Sequence, residues 1–300
     1  MVNAKQIKSK IKSVSNIKQI TKALEVVATV KLQKAKAQTD SYKDFLIDFL
    51  KIVQVVQQKT DIFEAAPIEK EQKKQKELII VVGTDRGLCG WLNNRLFKQV
   101  FSKYEAAKHR PDTFIVGKKA LEFFSRTDFP VVGQTNIKDA FEQEDLTELF
   151  TFLHKAIEDK QYKSIQIYFN YFENAIKQTP LHMQVMPLSK HTLKTFGEQI
   201  NIDINDFVSK RVESSDIILE PNLERLAEEI KAQFMQHMVY GSILCNKTGE
   251  FAARMIAMKN AKDNSTTMIK NLRLSYNKAR QSAVTQEISE IMGAKMALEG

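Results

Sequence analysis

The chain has 300 residues, of which 43% are hydrophobic, and a formal net charge of +9. This length and composition supply a packed core as well as long helices, and they exclude a disordered or fibrous protein. With only two cysteines, Cys89 and Cys245, neither a disulfide framework nor a thiolate metal site is expected. The first residues lack the apolar core of a signal peptide, and no run approaches the ~20 apolar residues that span a bilayer, so we expect neither a signal peptide nor a transmembrane helix.

The positive charge is concentrated at the two ends of the chain. Residues 1–60 carry twelve lysines against four acidic residues, and residues 247–300 carry nine Lys or Arg against five acidic residues. Basic ends predict a polyanionic partner, which can be nucleic acid, an acidic lipid surface or acidic protein loops. A solvated, Lys-rich helix face is an equally good interpretation of each run.

Residues 1–60 are predicted to form one long coiled-coil helix. Apolar residues recur there in steps of three and four, as in Ile7, Ile11, Val14, Ile17, Ile20 and Leu24. No proline interrupts residues 1–66. A helix from about residue 3 to about residue 58 would be roughly 80 Å long at ~1.5 Å per residue. Such a helix needs a partner along its length.

Residues 61–75 have the composition of a charged linker, and residues 76–212 alternate between strand and helix patterns. The predicted strands are 78–83, 113–117, 130–133, 164–172 and 181–188, and the predicted helices between them are 91–108, 118–126 and 146–158. This alternation predicts an open, mostly parallel sheet with Rossmann-like winding. The middle of the chain is therefore predicted to be an α/β domain.

Residues 213–300 are predicted to form a second long coiled-coil helix. Apolar residues again follow a helical spacing, from Leu223, Leu226, Ile230 and Phe234 to Met255 and Met258. Two long helices at opposite ends of a chain can pair as an antiparallel coiled coil when the segment between them turns the chain back. The predicted fold is a long antiparallel coiled coil of the N- and C-terminal helices with a central Rossmann-like α/β domain.

The loop Gly83–Gly90 is the natural candidate for a phosphate site, because glycines after a strand can expose backbone N–H groups. Its sequence matches neither of the glycine-rich nucleotide-binding motifs, so tight-turn and packing glycines are the favoured interpretation. Asp85 and Arg86 are interpreted as a local ion pair. The five histidines fall singly, without the spacing of a zinc helix. We predict no catalytic residue, no cofactor and no metal.

Five segments carry a specific resemblance. They are Ile11–Ala28, Asp85–Gly90, Glu250–Asn264, Leu272–Gln281 and Thr285–Ile291. Together they resemble the γ subunit of F-type ATP synthases, in the same order and over essentially the whole chain.

The resemblance implies a non-catalytic rotor shaft that couples proton-driven rotation to ATP synthesis or hydrolysis on β subunits. The implied partners are three α and three β subunits around one copy of this chain, the ε subunit and the c-ring. No nucleic acid is implied, and the membrane is reached only through the Fo sector. The implied location is the cytoplasmic face of a bacterial cell membrane, as a peripheral protein.

The resemblance also implies contact residues for the β subunit. Arg254 and Gln281 match residues that hydrogen-bond a β loop near the top of the shaft. Arg280, Thr285 and Glu290 match neighbours that are implicated in coupling.

Lys22 and Leu24 match the N-terminal contact with an acidic β loop. The family usually has Met at the positions of Leu24 and Val26, a departure that keeps apolar bulk. The cysteine-bearing insert of the chloroplast form is not visible, so no thiol regulation is expected.

Three other interpretations remain open at this point. The chain could be the γ-like shaft of a paralogous F1-like ATPase. It could be a basic coiled-coil module for nucleic acid, although it lacks an aromatic stacking series. It could also be a small Rossmann-type enzyme, which would need a nucleotide in the Gly83–Gly90 loop.

Overall fold

The computed structural model describes residues 4–59, 76–189, 192, 194–197 and 222–299. The predicted linker 61–75 and residues 213–221 of the predicted C-terminal helix lie outside the described residues. The chain divides into two compact units. We call Met1–Ala28 with Arg254–Gly300 the terminal unit, and Thr29–Ala253 the central unit. Both long helices contribute residues to each unit.

The described elements alternate between helix and strand in the middle of the chain, as the sequence predicts. In chain order they are α1 (Ala4–Lys59), β1 (Lys76–Val82), α2 (Leu92–Tyr104), β2 (Asp112–Val116), α3 (Lys118–Phe124), β3 (Val131–Thr135), a 3-10 helix (Gln143–Leu146), α4 (Thr147–Glu158), β4 (Tyr162–Phe172), β5 (Gln178–Met186) and α5 (Leu223–Glu299).

The sheet has five strands in the order β3-β2-β1-β4-β5. The first four strands of that order run parallel, and β5 pairs with β4 in antiparallel orientation at the edge. Strand order 3-2-1-4 is that of a doubly wound nucleotide-binding fold, in which parallel strands are joined by helical crossovers. The predicted mostly parallel sheet with Rossmann-like winding is confirmed.

Strand β1 lies at the centre and is buried on both faces, which explains its unbroken apolar sequence. On one face, Leu78, Ile80 and Val82 belong to the main core, which also includes side chains of α1, α4 and α5. On the other face, Ile79 and Val81 belong to a smaller core formed with α2 and α3. The central unit therefore has an apolar layer on each side of its sheet.

In the main core, the second half of α1 meets the first half of α5. Leu46 and Leu50 of α1 and Phe234 of α5 are almost completely buried there. The ring of Phe49 stacks on that of Phe234, with 6.4 Å between the ring centroids. This packing holds both long helices against the sheet.

The terminal unit is an antiparallel helix pair, as predicted. Glu25 of α1 pairs with Lys262 of α5, and residues nearer the start of α1 lie beside residues further along α5. The buried positions of α1 recur every seven residues, at Ile7, Val14, Thr21 and Ala28. A seven-residue repeat is that of a coiled-coil seam. The helices of this unit therefore bury a narrow stripe and leave most of their surface outside.

Candidate partner-contact surface

Large apolar side chains lie exposed on the terminal unit. On α1 they include Ile17, Ile20 and Val27, each about half exposed, and on α5 Leu274 is 63% exposed. These residues lie outside the seven-residue seam, so pairing of the two helices cannot bury them. Exposed apolar patches of this kind mark surfaces that bind other proteins.

The last turns of α5 are exposed on all sides. Every residue from 281 to 296 has an exposed side chain. The antiparallel register of the helix pair carries this stretch past the start of α1. Within it, Val284, Ile288 and Ile291 recur at the spacing of one helical face. An apolar stripe on a lone helix needs a partner to cover it.

The predicted contact residues of α5 fall into two groups. Arg254 is half-buried, whereas Arg280, Gln281, Thr285 and Glu290 are exposed. In a continuous helix, Arg254 and Arg280 are about 40 Å apart at ~1.5 Å per residue. The structure therefore does not bring the predicted residues together as one site.

The group near the end of α5 is linked by local hydrogen bonds. The Thr285 hydroxyl donates to the Gln281 carbonyl oxygen at 3.0 Å, and the Gln286 amide donates to the Glu290 carboxylate at 2.9 Å. Gln281 is itself exposed. This group offers polar side chains to a partner from a single exposed helix.

The predicted contact residues of α1 lie next to an ion pair between α1 and α5. Lys22 is exposed, and Leu24 is half-buried. The adjacent Glu25 accepts a hydrogen bond from Lys262 at 2.8 Å, and this bond raises the pKa of the Lys262 ammonium. The sequence analysis missed this pair because the two residues are 237 positions apart.

The Gly83–Gly90 loop is tightly packed at its first glycine. A Cβ at Gly83 would lie 2.7 Å from the Ala120 Cβ, so only glycine fits there without movement. Gly117 has φ +95°, and a Cβ there would lie 3.0 Å from the Gly83 carbonyl. Close approach at Gly83 and Gly117 favours the packing interpretation for this end of the loop. Gly90 has φ +61°, with no described atom within 4 Å of an added Cβ, as expected for a tight-turn glycine.

The predicted ion pair between Asp85 and Arg86 is wrong. Asp85 instead accepts hydrogen bonds from the backbone N–H groups of Lys118 and Ile137, at 3.1 and 3.2 Å. Arg86 pairs with Asp139 at 3.7 Å. Adjacent residues of opposite charge need not form an ion pair, because their side chains can point in different directions. Here the backbone N–H groups of Lys118 and Ile137 bind the Asp85 carboxylate instead.

The sequence analysis also missed the buried amide of Asn246, which ties α5 to the carboxyl edge of the sheet. Its side-chain oxygen accepts from the Asn170 backbone N–H at 2.9 Å, and its side-chain nitrogen donates to the Gly83 carbonyl at 3.3 Å. Asparagine within an apolar helical stripe was the available signal. Buried amides need such partners, so this position marks a fixed contact between helix and sheet.

Neither a metal site nor a membrane-spanning helix is found in the described part of the chain. In residues 4–59, 76–189 and 222–299 with the few described positions between them, no cluster of three His, Cys, Asp or Glu side chains has the arrangement to hold a metal ion. In the same described residues, no helix has an apolar stretch long enough to cross a membrane.

Comparison with known proteins decides the family. The family model described as ATP synthase matches residues 3–298. The ATP synthase gamma chain of Ruthia magnifica is 32% identical over 302 residues, which covers 99% of this chain and 100% of the relative. The chain belongs to the ATP synthase gamma chain family. The resemblance stated from the sequence motifs is confirmed.

Solved structures share the fold. A chain of the Euglena gracilis mitochondrial ATP synthase, in an assembly of OSCP, F1 and c-ring, has a TM-score of 0.67 and 19% identity, and the match covers 98% of this chain and 94% of that one. A chain from the central stalk and c-ring of the Tetrahymena thermophila mitochondrial ATP synthase has a TM-score of 0.56 and 22% identity, covering 81% and 99%. These two chains therefore share the fold of this chain at low sequence identity.

Proposed function

We propose that this chain is the central-stalk rotor subunit of an F-type ATP synthase, which couples proton-driven rotation to ATP synthesis or hydrolysis on β subunits. The observation that carries the proposal is the terminal unit, a helix pair with a narrow buried seam and large apolar side chains on its outside. Membership of the gamma chain family over the full length supports it. The chain itself is a non-catalytic subunit.

The proposed partners are three α and three β subunits around one copy of this chain, together with the ε subunit and the c-ring. The exposed apolar side chains of α1 and α5 require protein surfaces around them, and a ring of subunits supplies such surfaces on all sides. The gamma chains of bacteria are the relatives named above, so we place the complex on the cytoplasmic face of a bacterial cell membrane. The chain reaches the membrane through the Fo sector.

The mechanism follows from the asymmetry of a helix pair. Its faces differ in sequence, so each orientation offers a different set of contacts to the three β subunits. A rotor can bias a partner between conformations only through contacts that differ between those states. Rotation of the pair would thus drive each β site in turn through binding, reaction and release.

Specific residues are assigned to these contacts. Lys22 and Leu24 of α1 contact an acidic β loop. The Lys22 ammonium pairs with the carboxylates of that loop, and Leu24 packs against its apolar part. Arg254 of α5 binds a β loop through its guanidinium. A second group near the end of α5, which comprises Arg280, Gln281, Thr285 and Glu290, makes polar contacts at the exposed helix. Their exposed or half-buried side chains support the assignment.

The test is reconstitution with α and β subunits. Size-exclusion chromatography and an ATPase assay are run on this chain alone, on α with β, and on the mixture. We expect the chain alone to be inactive and the mixture to elute as a complex with one copy of this chain per three α and three β, with raised ATP turnover. A chain that does not enter the complex, or that leaves turnover unchanged, would refute the proposal.

A further inference from the structure

A cluster of charged side chains lies where the two long helices meet the carboxyl edge of the sheet, within the central unit. Asp139, in the loop after β3, is close to three cations. Its carboxylate accepts from the Lys31 ammonium of α1, lies 3.7 Å from the Arg86 guanidinium and lies 3.6 Å from the Lys247 ammonium of α5. One side chain thus contacts both helices and the loop after β1.

The α5 side of this cluster is buried. The Lys247 side chain is 4% exposed, and its ammonium lies 3.3 Å from the carboxylate of Glu250, which is 1% exposed. The same ammonium lies 5.5 Å from the centre of the Phe251 ring. A buried ammonium is retained only when carboxylates and hydrogen bonds offset its desolvation. Asp139 is the second carboxylate that Lys247 contacts.

The charge of Asp139 is held by this environment. Partial burial alone would raise the pKa of its carboxyl group. The hydrogen bond from Lys31 and the charges of Lys247, Lys31 and Arg86 outweigh that effect, and the pKa is lowered from its usual value. Asp139 is therefore ionised throughout the neutral pH range.

Part of the apolar seam at this level consists of small side chains, beside the buried ring of Phe251. Ala35 of α1 and Ala252 of α5 are buried there, and alanine offers close approach but little interlocking. Apolar burial is non-directional, so it opposes separation of the helices more than sliding or twisting. Charged contacts have a defined geometry and are known to fix helix register.

Uncharged contacts connect α1, α5 and the loop after β3 next to the charged cluster. The Gln38 amide of α1 donates to the Phe141 carbonyl at 3.0 Å and to the Tyr240 hydroxyl of α5 at 3.1 Å. The Thr39 and Thr248 hydroxyls are 3.1 Å apart. The loop after β3 is thus held between the two helices at more than one level.

We propose that Asp139 is a positioning residue for rotary coupling. It holds α1, α5 and the loops after β1 and β3 in one register. Torque applied to the sheet is then transmitted to both helices without one helix sliding along the other. The inference rests on the proposed function and adds to it the residue that transmits torque within this chain. Asp139 acts through the three cations and touches no nucleotide.

The test measures ATP hydrolysis and proton pumping in the same vesicles, with the complete complex containing wild-type chain, Asp139→Asn, Asp139→Glu or Asp128→Asn. Asn keeps the shape and removes the charge, and Glu restores the charge. Asp128 is the matched control, because it pairs with Arg110 and its side chain is 64% exposed. Lys31→Gln is a milder variant that leaves the buried Lys247 with both carboxylates.

For Asp139→Asn we expect protons pumped per ATP hydrolysed to fall at least about three-fold, a size typical of residues that carry coupling between sites. Asp139→Glu should recover part of the ratio, and Asp128→Asn should keep it. A purely structural role would lower hydrolysis and pumping in proportion, through loss of assembled complex, and would leave their ratio unchanged.

An unchanged ratio in assembled Asp139→Asn complexes would overturn the inference, and so would an equal fall in Asp128→Asn. If Asp139→Asn does not assemble, the ratio for Lys31→Gln decides, with a fall expected and an unchanged ratio contradicting the inference. Failure of the wild-type chain to join α and β would instead refute the proposed function. The two failures are therefore distinguishable.

Discussion

The two units of the molecule use the same two helices in opposite ways. In the central unit, α1 and α5 bury bulky side chains such as Leu46, Leu50 and Phe234 against a sheet. In the terminal unit, the buried positions include Thr21 and Ser265, while larger apolar residues lie outside. The central unit thus carries its own core, whereas the terminal unit is built for contact with partners. The difference indicates that the main core and the exposed apolar surface lie in different parts of the same helices.

The largest effect should come from removing a core ring of the central unit. Phe234→Ala deletes a fully buried side chain that packs on Phe49 and on Phe196, whose ring centroid is 5.7 Å away. We expect the free energy of unfolding to fall by about 3–5 kcal/mol, as for other buried Phe→Ala changes. Denaturant unfolding of the full chain measures it. Val14→Ala in the terminal seam is the comparison, and a cost as large as that of Phe234→Ala would contradict the contrast between units.

A second effect concerns pH and a buried histidine of the central unit. Burial of the His237 ring lowers its pKa to about 4. Among the described residues, its buried Nδ1 has no hydrogen-bond partner, and the rings of Phe45 and Phe49 each lie 4.9 Å away. Between pH 4 and 6.5 the unfolded chain binds the proton that the folded chain excludes. The free energy of unfolding is therefore not reduced by His237 above pH 6.5. It falls by roughly 3 kcal/mol as the pH drops from 6.5 towards 4, because the unfolded chain binds the proton more tightly.

His237→Phe should remove this pH dependence, because phenylalanine fits an aromatic surrounding and takes up no proton. Unfolding free energies of both chains at pH 7 and near pH 4 give the comparison. His154→Gln is the control, since that side chain is exposed and leaves the buried ring in place. An equal loss of stability on acidification in wild type and His237→Phe would show that other groups dominate.

The third prediction concerns Arg254 and Gln281 of the terminal unit. Their substitution should weaken contacts with β subunits and leave the packing of the chain unchanged. Arg254→Ala and Gln281→Ala should leave the folded chain intact and lower ATP synthesis by the complete complex about ten-fold each. That factor corresponds to about 1.4 kcal/mol, close to the lower end of the range for a lost hydrogen bond to a charged group. Asn277→Ala, an exposed neighbour on α5, is the control. Unaltered synthesis in both variants would remove these residues from the proposed contact surface.

The smallest effect is expected for the ion pair of the terminal seam. A double-mutant cycle with Glu25→Ala and Lys262→Ala should give a coupling energy of about 0.5 kcal/mol, because both side chains keep access to water. The coupling should shrink at high salt. A coupling of several kcal/mol would mean that electrostatics, and not the apolar seam, holds the terminal helices together.

Periodicity alone was sufficient to predict the two long helices, the strand and helix order and the parallel sheet. Local patterns such as Leu78–Val82 record which faces are buried, because burial follows from local sequence. The apolar stripe at the start of α1 was a weaker guide, since Ile17 and Ile20 within it are more than half exposed. Strand ends were displaced by a few residues, as for β5, which begins at Gln178 and not at 181. The antiparallel orientation of β5 could have been predicted from its short connection to β4, because a parallel crossover needs about a dozen residues or more.

The charged contacts could not be predicted from the sequence. Asp139, Lys31 and Lys247 are separated by more than a hundred positions, and their meeting depends on the whole topology. The same reason explains why Asp85 was assigned the wrong partner. The candidate contact residues came from resemblance to a family, since an exposed arginine or glutamine has no pattern that distinguishes a partner contact from a solvated surface.

The most direct measurement of the central claim is observation of rotation. The chain, assembled with α and β subunits fixed to a surface, carries a visible probe on an exposed cysteine introduced in the central unit, and ATP is added. The account predicts rotation of the probe in one direction, with three pauses in each turn, and none when ATP is absent. ATP hydrolysis by the same assembled complexes with a stationary probe would contradict it.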